Sequence, residues 1–324
     1  MQHKVKNKNI KSCIYEKNIL YRFQYFTNMF FVVVSTGGTC SFKRRDAIVV
    51  ECSSACLLPF LILTGILIHT NMAGKLLQPV EVIWNKVLGV SAAGAYAVIV
   101  GALCGYPVGA KITSDLYENH QISESEAKYL LTFTNHASPV FVRTYLCHIC
   151  LKDQIPARTV FGIFALSDLT IMLLFRFVVY RNKIQFLSAD KKKKTPVSSS
   201  SGAFLDVSIM NGFETVTRLG GYILMFSILS ACISHFWNMK NLIGYTLSGI
   251  LELTTGLCRL QNANIHMQWK YLLTLFLTAF GGICITFQTR SLVTRKLSML
   301  PYITAKLLNG ITTVLFALFF SKII

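Results

Sequence analysis

Acidic side chains are scarce in this chain: 14 Asp and Glu stand against 32 Lys and Arg in 324 residues. Charged residues of both signs make up only 14%, where a soluble domain carries about 25%. That shortage excludes an ordinary water-soluble core as the default. Catalytic signatures are missing too. There is no HExxH, no Walker loop, no paired-carboxylate motif, and no Ser-His-Asp or Cys-His set in a recognisable nucleophile context. The sequence therefore predicts a protein that is not an enzyme, with no catalytic residues, no metal and no cofactor. No basic patch is interleaved with stacking aromatics as in single-strand binders, so nucleic acid is not an expected partner. Proline is sparse, at seven copies, and each one inside an apolar run marks a backbone break.

What is present is apolar. Hydrophobic residues reach 53%, with 23 Phe, and the mean hydropathy is +0.50. Disorder, which needs low hydrophobicity, is excluded. A spanning helix takes about 20 apolar residues, so the length allows about eight to ten membrane elements. The net charge of +18 sits between the apolar runs, at Lys43-Arg44-Arg45, at Lys191 to Lys194 and at Arg290 with Arg295-Lys296. This pattern predicts a multi-pass protein oriented by its basic loops and drawn to anionic headgroups. The ten cysteines are scattered through apolar runs and form no disulfide framework. Cys147-His148-Ile149-Cys150 is formally a CxxC, but no second pair completes a metal site, and both thiols read as small buried residues.

Along the chain, a Lys-rich start is followed by a short apolar stretch, 25–36, that mimics a signal peptide without a convincing cleavage site. It is expected to be a weak anchor. Residues 47–69 form a first span with Pro59 inside. Residues 87–110 hold Gly89, Gly94, Gly101, Gly105, Pro107 and Gly109 in one apolar stretch, which predicts a broken or re-entrant element. Ser123 and Glu126 have the spacing of a capping box. The next span, 127–151, is interrupted by Thr134-Asn135-His136-Ala137-Ser138-Pro139. A further span, 158–180, contains Asp168, for which Arg143 is a candidate partner. Residues 181–211 form a basic, Ser-rich flexible linker, and 206–218 looks amphipathic. Spans follow at 220–237, at 242–258 with Glu252 inside, at 269–290 with Gly281-Gly282 inside, and at 301–320.

The two sides of the linker echo each other. Lys128-Tyr129-Leu130-Leu131-Thr132 recurs as Lys270-Tyr271-Leu272-Leu273-Thr274. Each copy follows a short Gly-containing apolar element and precedes a helix break. Paired interrupted segments in two halves point to a transporter's binding site. Close packing of helices through small residues accounts for such breaks equally well. The expected fold is all-α and polytopic, in two pseudo-repeated halves with broken or re-entrant helices. Its expected divisions are a basic N-terminal segment (1–45), a first membrane half (46–180), the linker (181–211) and a second membrane half (212–324).

Several motifs are specific in combination. Gly105-Tyr106-Pro107-Val108-Gly109-Ala110-Lys111 precedes an acidic loop, then Phe133-Thr134-Asn135 and Ser138-Pro139. Later come Glu252-Leu253-Thr254-Thr255-Gly256, Phe280-Gly281-Gly282 with Gln288, and Ala305-Lys306-Leu307-Leu308-Asn309-Gly310. Over roughly residues 50–320 the chain resembles the YlbJ family of sporulation integral membrane proteins. That family belongs to the wider group carrying the nucleoside-recognition, or Gate, domain, which includes concentrative nucleoside transporters. The resemblance implies a bacterial cell-membrane protein of sporulation, transporter-like or permease-like, moving an unidentified small polar solute or ion. The alternative is a non-transporting scaffold in spore envelope assembly. The expected partners are the bilayer and that solute or ion, with a homo-oligomer left open.

The candidate binding residues fall on the breaks. Glu252 is a carboxylate in an apolar run, an expensive placement, with Thr254 and Thr255 beside it. Lys111 closes the Gly105, Tyr106, Pro107, Gly109 element and is suited either to an anion or to snorkelling toward the interface. Asn135 and Ser138 flank Pro139, where they either satisfy the freed backbone or line a pocket. Gly281, Gly282 and Gln288 are their counterparts in the second half.

Overall fold

The computed structural model describes residues 44–181, 184, 203–236 and 241–321. The expected anchor at 25–36 and the lysine run of the linker lie outside the described residues. Those residues are helical and turn, with no strand among them, so the all-α class holds.

Helix α1 (Arg44–His69) runs through Pro59. Two short helices, α2 (Met72–Leu77) and α3 (Glu81–Val87), flank a single turn, Gln78–Val80. Helix α4 (Ala92–Cys104) starts at Ser91, whose hydroxyl accepts the Gly94 N–H at 3.1 Å. It ends at Gly105, where φ is +80°. Only glycine takes that conformation without strain, so the chain turns there and returns as α5 (Val108–Glu118). The expected interrupted element is thus a helical hairpin.

Helix α6 (Glu124–Leu130) is capped by Ser123, whose hydroxyl accepts the Glu126 N–H at 3.1 Å. Glu126 is fully buried, and its Oε1 accepts the Ser91 N–H at 2.6 Å. The carboxylate thus serves the N-terminus of α4, whose first amides need partners in a dry interior. Beyond α6 the backbone is irregular through Ser138. It then resumes as α7 (Phe141–Cys150), a wide helix closing on a five-residue bond from Leu151 N to Leu146 O.

Helix α8 (Ala157–Leu174) continues in a wide turn over Phe175–Val179. Helix α9 (Ala203–Phe236) starts inside the stretch expected to be linker. The Ser run ends at Ser201, and nothing from Ala203 to Asn211 opposes a helix. Next come α10 (Leu242–Leu251), α11 (Leu253–Asn262), α12 (Met267–Phe280), α13 (Gly282–Leu292) and α14 (Leu300–Ser321).

Four stretches are long and apolar enough to cross a membrane: Ala157–Val179, Phe204–Ile233, Met267–Leu292 and Leu300–Phe320. Helices Ala92–Cys104 and Leu242–Leu251 are apolar but shorter. Alone they fall below the roughly 20 residues of a full span, and each is instead one leg of a hairpin. Among the described residues the order is long helix α1, hairpin α4–α5, interrupted helix α6–α7, long helix α8. The same order follows as α9, α10–α11, α12–α13 and α14.

Small residues set how closely these elements approach. Where α1 packs on α9, a Cβ on Gly65 would lie 3.2 Å from Ser208, and one on Gly212 3.1 Å from Ile62. Helices α8 and α14 are joined by polar side chains. Ser167 donates to the Asn309 carbonyl at 3.1 Å, and Asn309 Nδ2 donates to Asp168 Oδ1 at 2.8 Å. The pairing considered for Asp168 with Arg143 is therefore not made. Arg143 reaches Asp153 at 2.8 Å in the α7–α8 connection, a partner close in sequence and already outside the apolar run.

Candidate functional site

The first hairpin is docked on the first break. A Cβ on Gly101 would lie 2.4 Å from the Thr134 carbonyl oxygen, and one on Gly109 only 1.9 Å from it. No side chain fits between hairpin and break. At the tip, Tyr106 N–H donates to the His136 carbonyl at 2.7 Å, and a Cβ on Gly105 would meet Ser138 N at 2.6 Å. Ser138 Oγ accepts the Phe141 N–H at 3.2 Å and so caps α7. Gly105, Pro107, Gly109 and Ser138 therefore build the frame. Lys111 pairs with Asp115 one turn along α5 at 2.9 Å, and this ion pair occupies its ammonium.

The second hairpin repeats the arrangement with different chemistry. A Cβ on Gly256 would lie 2.1 Å from Gly249 Cα, so the two legs touch backbone to backbone. Glu252 sits between α10 and α11, 3% exposed. Its oxygens accept the Thr254 N–H at 3.1 Å, the Thr255 N–H at 2.6 Å and the Thr254 hydroxyl at 2.9 Å. This is an N-cap, and a carboxylate there also meets the positive end of the helix dipole. Thr254 and Thr255 are thus tied to Glu252. Gly281 and Gly282 both have positive φ, +84° and +83°, and they break α12 from α13. A Cβ on Gly282 would lie 2.8 Å from the Ile250 carbonyl oxygen.

Asn135 joins the two halves. It is buried, and its Nδ2 donates to Thr289 Oγ1 at 3.0 Å and to Tyr302 Oη at 3.1 Å. Its Oδ1 is buried without a partner, as is the Tyr106 hydroxyl. Gln288 is buried and donates to Cys284 Sγ at 3.3 Å. Glu252, Asn135 and Gln288 thus all lie inside the protein, but none of their hydrogen bonds joins one to another. Cys147 and Cys150 are buried in an apolar cluster. No group of three His, Cys, Asp or Glu side chains stands together as a metal site among the described residues.

Lys306 belongs with these residues, although its motif was read only as a family resemblance. It is 4% exposed and donates to the Ala279 carbonyl at 2.9 Å. Its Nζ lies 5.6 Å from the centre of the Tyr106 ring. Ala279 is in the last turn of α12, so the ammonium meets the negative end of a broken helix. One lysine in the apolar run 301–320 was the available signal. Tyr302, one turn before it, had no such signal, since a tyrosine near a span end is ordinary. Tyr106 also lies within electrostatic reach of both Glu252 and Tyr302. Tyr106, Asn135, Tyr302 and Lys306 are therefore linked neighbours.

These features define an all-α, multi-pass membrane protein built around two helical hairpins and two interrupted helices. No family model matches the chain, and no solved structure matches it. The sporulation integral membrane protein YlbJ of Bacillus subtilis (strain 168) is similar to it, 24% identical over 304 residues, covering 82% of this chain and 73% of that protein.

Proposed function

We propose that the protein acts in sporulation as a transporter-like cell-membrane protein, without catalysis, moving a small polar solute or ion. Its site lies where the two interrupted helices meet. The observation that carries this reading is the pair of unsatisfied buried groups, Tyr106 Oη and Asn135 Oδ1. A buried polar atom without a partner costs about 1–3 kcal/mol. Two of them among linked neighbours are expected where a ligand supplies the missing bonds. Hairpins and broken helices lie beside them, as in transporters whose halves alternate access. The Gate-domain kinship belongs to this proposal. It suggests nucleoside-like solutes only by analogy.

A scaffold role has its own support. Glu252, Lys111 and Ser138 are all engaged by partners inside the protein. The substitution Tyr106→Phe separates the two readings, since it removes only an unpartnered hydroxyl and should leave folding intact. It should be tested by complementation of a deletion strain, scoring heat-resistant spores beside the amount of protein in the membrane. Transport predicts loss of spores at normal protein level. Normal sporulation would favour the scaffold.

A further inference from the structure

A groove of about 500 Å³ opens at the turn between α13 and α14. Its lining includes Arg290, Arg295, Thr286 and Ser298 together with Phe287 and Ile303. The turn joins two membrane-crossing stretches, one ending at Leu292 and the other starting at Leu300. The groove therefore sits at a membrane–water boundary. Phe287 is 50% exposed and Ile303 37%, so one side of the groove presents apolar surface to the acyl chains.

The two arginines face this groove without a carboxylate. Among the described residues neither forms an ion pair, and Arg290 makes one long bond, 3.4 Å, to the Leu297 carbonyl. The acidic residue nearest in the bonding pattern, Glu214, is already held by Arg218, which also donates to the Ser291 carbonyl at 3.0 Å. The planar donor fork of a guanidinium matches a phosphate in two parallel bonds. Basic pockets between membrane helices hold anionic headgroups. Paired arginines, hydroxyls and an adjoining apolar wall together fit a phosphate carrying an acyl chain.

We propose that this groove is a binding site for one anionic phospholipid. The phosphate lies between Arg290 and Arg295, and an acyl chain runs along Phe287 and Ile303. The assignment does not depend on transport. Charge complementarity selects the lipid: zwitterionic headgroups carry their own ammonium, which the arginines repel.

The test is native mass spectrometry of the purified full chain in detergent, titrated with phosphatidylglycerol or phosphatidylcholine. The expected result is retention of one phosphatidylglycerol several-fold more strongly than phosphatidylcholine. In Arg290→Gln/Arg295→Gln that preference should fall to none, while Arg158→Gln, an exposed arginine outside the groove, should keep it. Equal retention of the two lipids by the wild type would overturn the proposal, as would an unchanged preference in the double variant. A third arm adds inorganic phosphate at millimolar concentration. If phosphate alone displaces the lipid and raises the melting temperature of lipid-free protein, the groove serves a soluble phosphate and the lipid assignment fails. Should the double variant not fold, Phe287→Ser provides the alternative. It leaves both arginines in place, and it should weaken retention of the lipid while leaving any response to inorganic phosphate unchanged. Equal retention by Phe287→Ser and the wild type would remove the acyl-chain contact and the proposal with it.

Discussion

Replacing Glu252 by Gln leaves the side chain's length and volume almost unchanged, so packing should not suffer. What changes is one oxygen. Both oxygens accept hydrogen bonds, and the amides of Thr254 and Thr255 divide between them. An amide NH2 in place of either oxygen turns a donor toward a donor. A lost charge-assisted bond costs about 1.5–3 kcal/mol, and loss of the charge at the helix start adds about 0.3–1 kcal/mol. The sum is about 2–4 kcal/mol. At about 2–4 °C per kcal/mol for a chain of this order of size, the melting temperature in detergent should fall by about 4–16 °C. Glu252→Asp should stay near the wild type, because Asp is among the best N-caps and reaches the same amides. The assay is thermal unfolding of purified protein followed by intrinsic fluorescence. If Glu252→Gln melts with the wild type, the carboxylate is not held as a cap, and its buried charge needs another cause. The same comparison governs how function is scored: a defect in Glu252→Gln that comes with a lower melting temperature and less protein in the membrane is a folding defect.

Gly109→Ala should disrupt docking of the first hairpin, since its Cβ would lie 1.9 Å from a backbone oxygen. Gly162→Ala, with nothing within 4 Å, should be neutral or gain about 0.5–1 kcal/mol as an interior helical Gly. Membrane abundance and melting temperature of the two variants check the contrast. Asp153 accepts from His148 and Arg143 in the exposed α7–α8 connection, and these bonds hold its carboxyl below the usual range. A carboxyl lowered in the folded state stabilises above its unfolded value, about 3.9, and that stabilisation disappears as pH falls through the lower folded value. The melting difference between wild type and Asp153→Asn should thus vanish in acid below about pH 4. A difference that persists undiminished well below that pH would contradict this assignment.

The sequence made the breaks legible because Gly and Pro act locally. Gly105 and Gly281–Gly282 have positive φ where the pattern predicted interruption, and the interruption after Thr134 ends at Pro139. Ser123 was legible as a cap for the same reason. Glu126 was not, because its partner is Ser91, 35 residues away, and no local spacing encodes that bond. The same limit applies to the site. Glu252 and Asn135 could be picked out as polar residues in apolar runs. That Glu252 would turn back on its own helix, and that Asn135 would reach Thr289 and Tyr302 in the other half, are consequences of packing. Lys306 carried a readable signal, a cation within a span.

Broken helices in an apolar medium leave backbone groups that must find partners. In this protein buried charges do part of that work. Glu252 meets the amides at the start of α11, and Lys306 meets a carbonyl at the end of α12. Each charge has the sign that the local helix dipole favours. The two therefore explain each other's burial without a ligand, and charge alone is poor evidence for a transport site here. Subtracting the caps leaves a smaller set. Tyr106 offers a hydroxyl and Asn135 one end of its amide, both buried and neither used. The rest of Asn135 holds the first break to the second half through Tyr302. A ligand that completed the amide would touch one of the side chains that join the two halves. Occupancy of the site and the relative position of the halves would then be coupled, as alternating access requires.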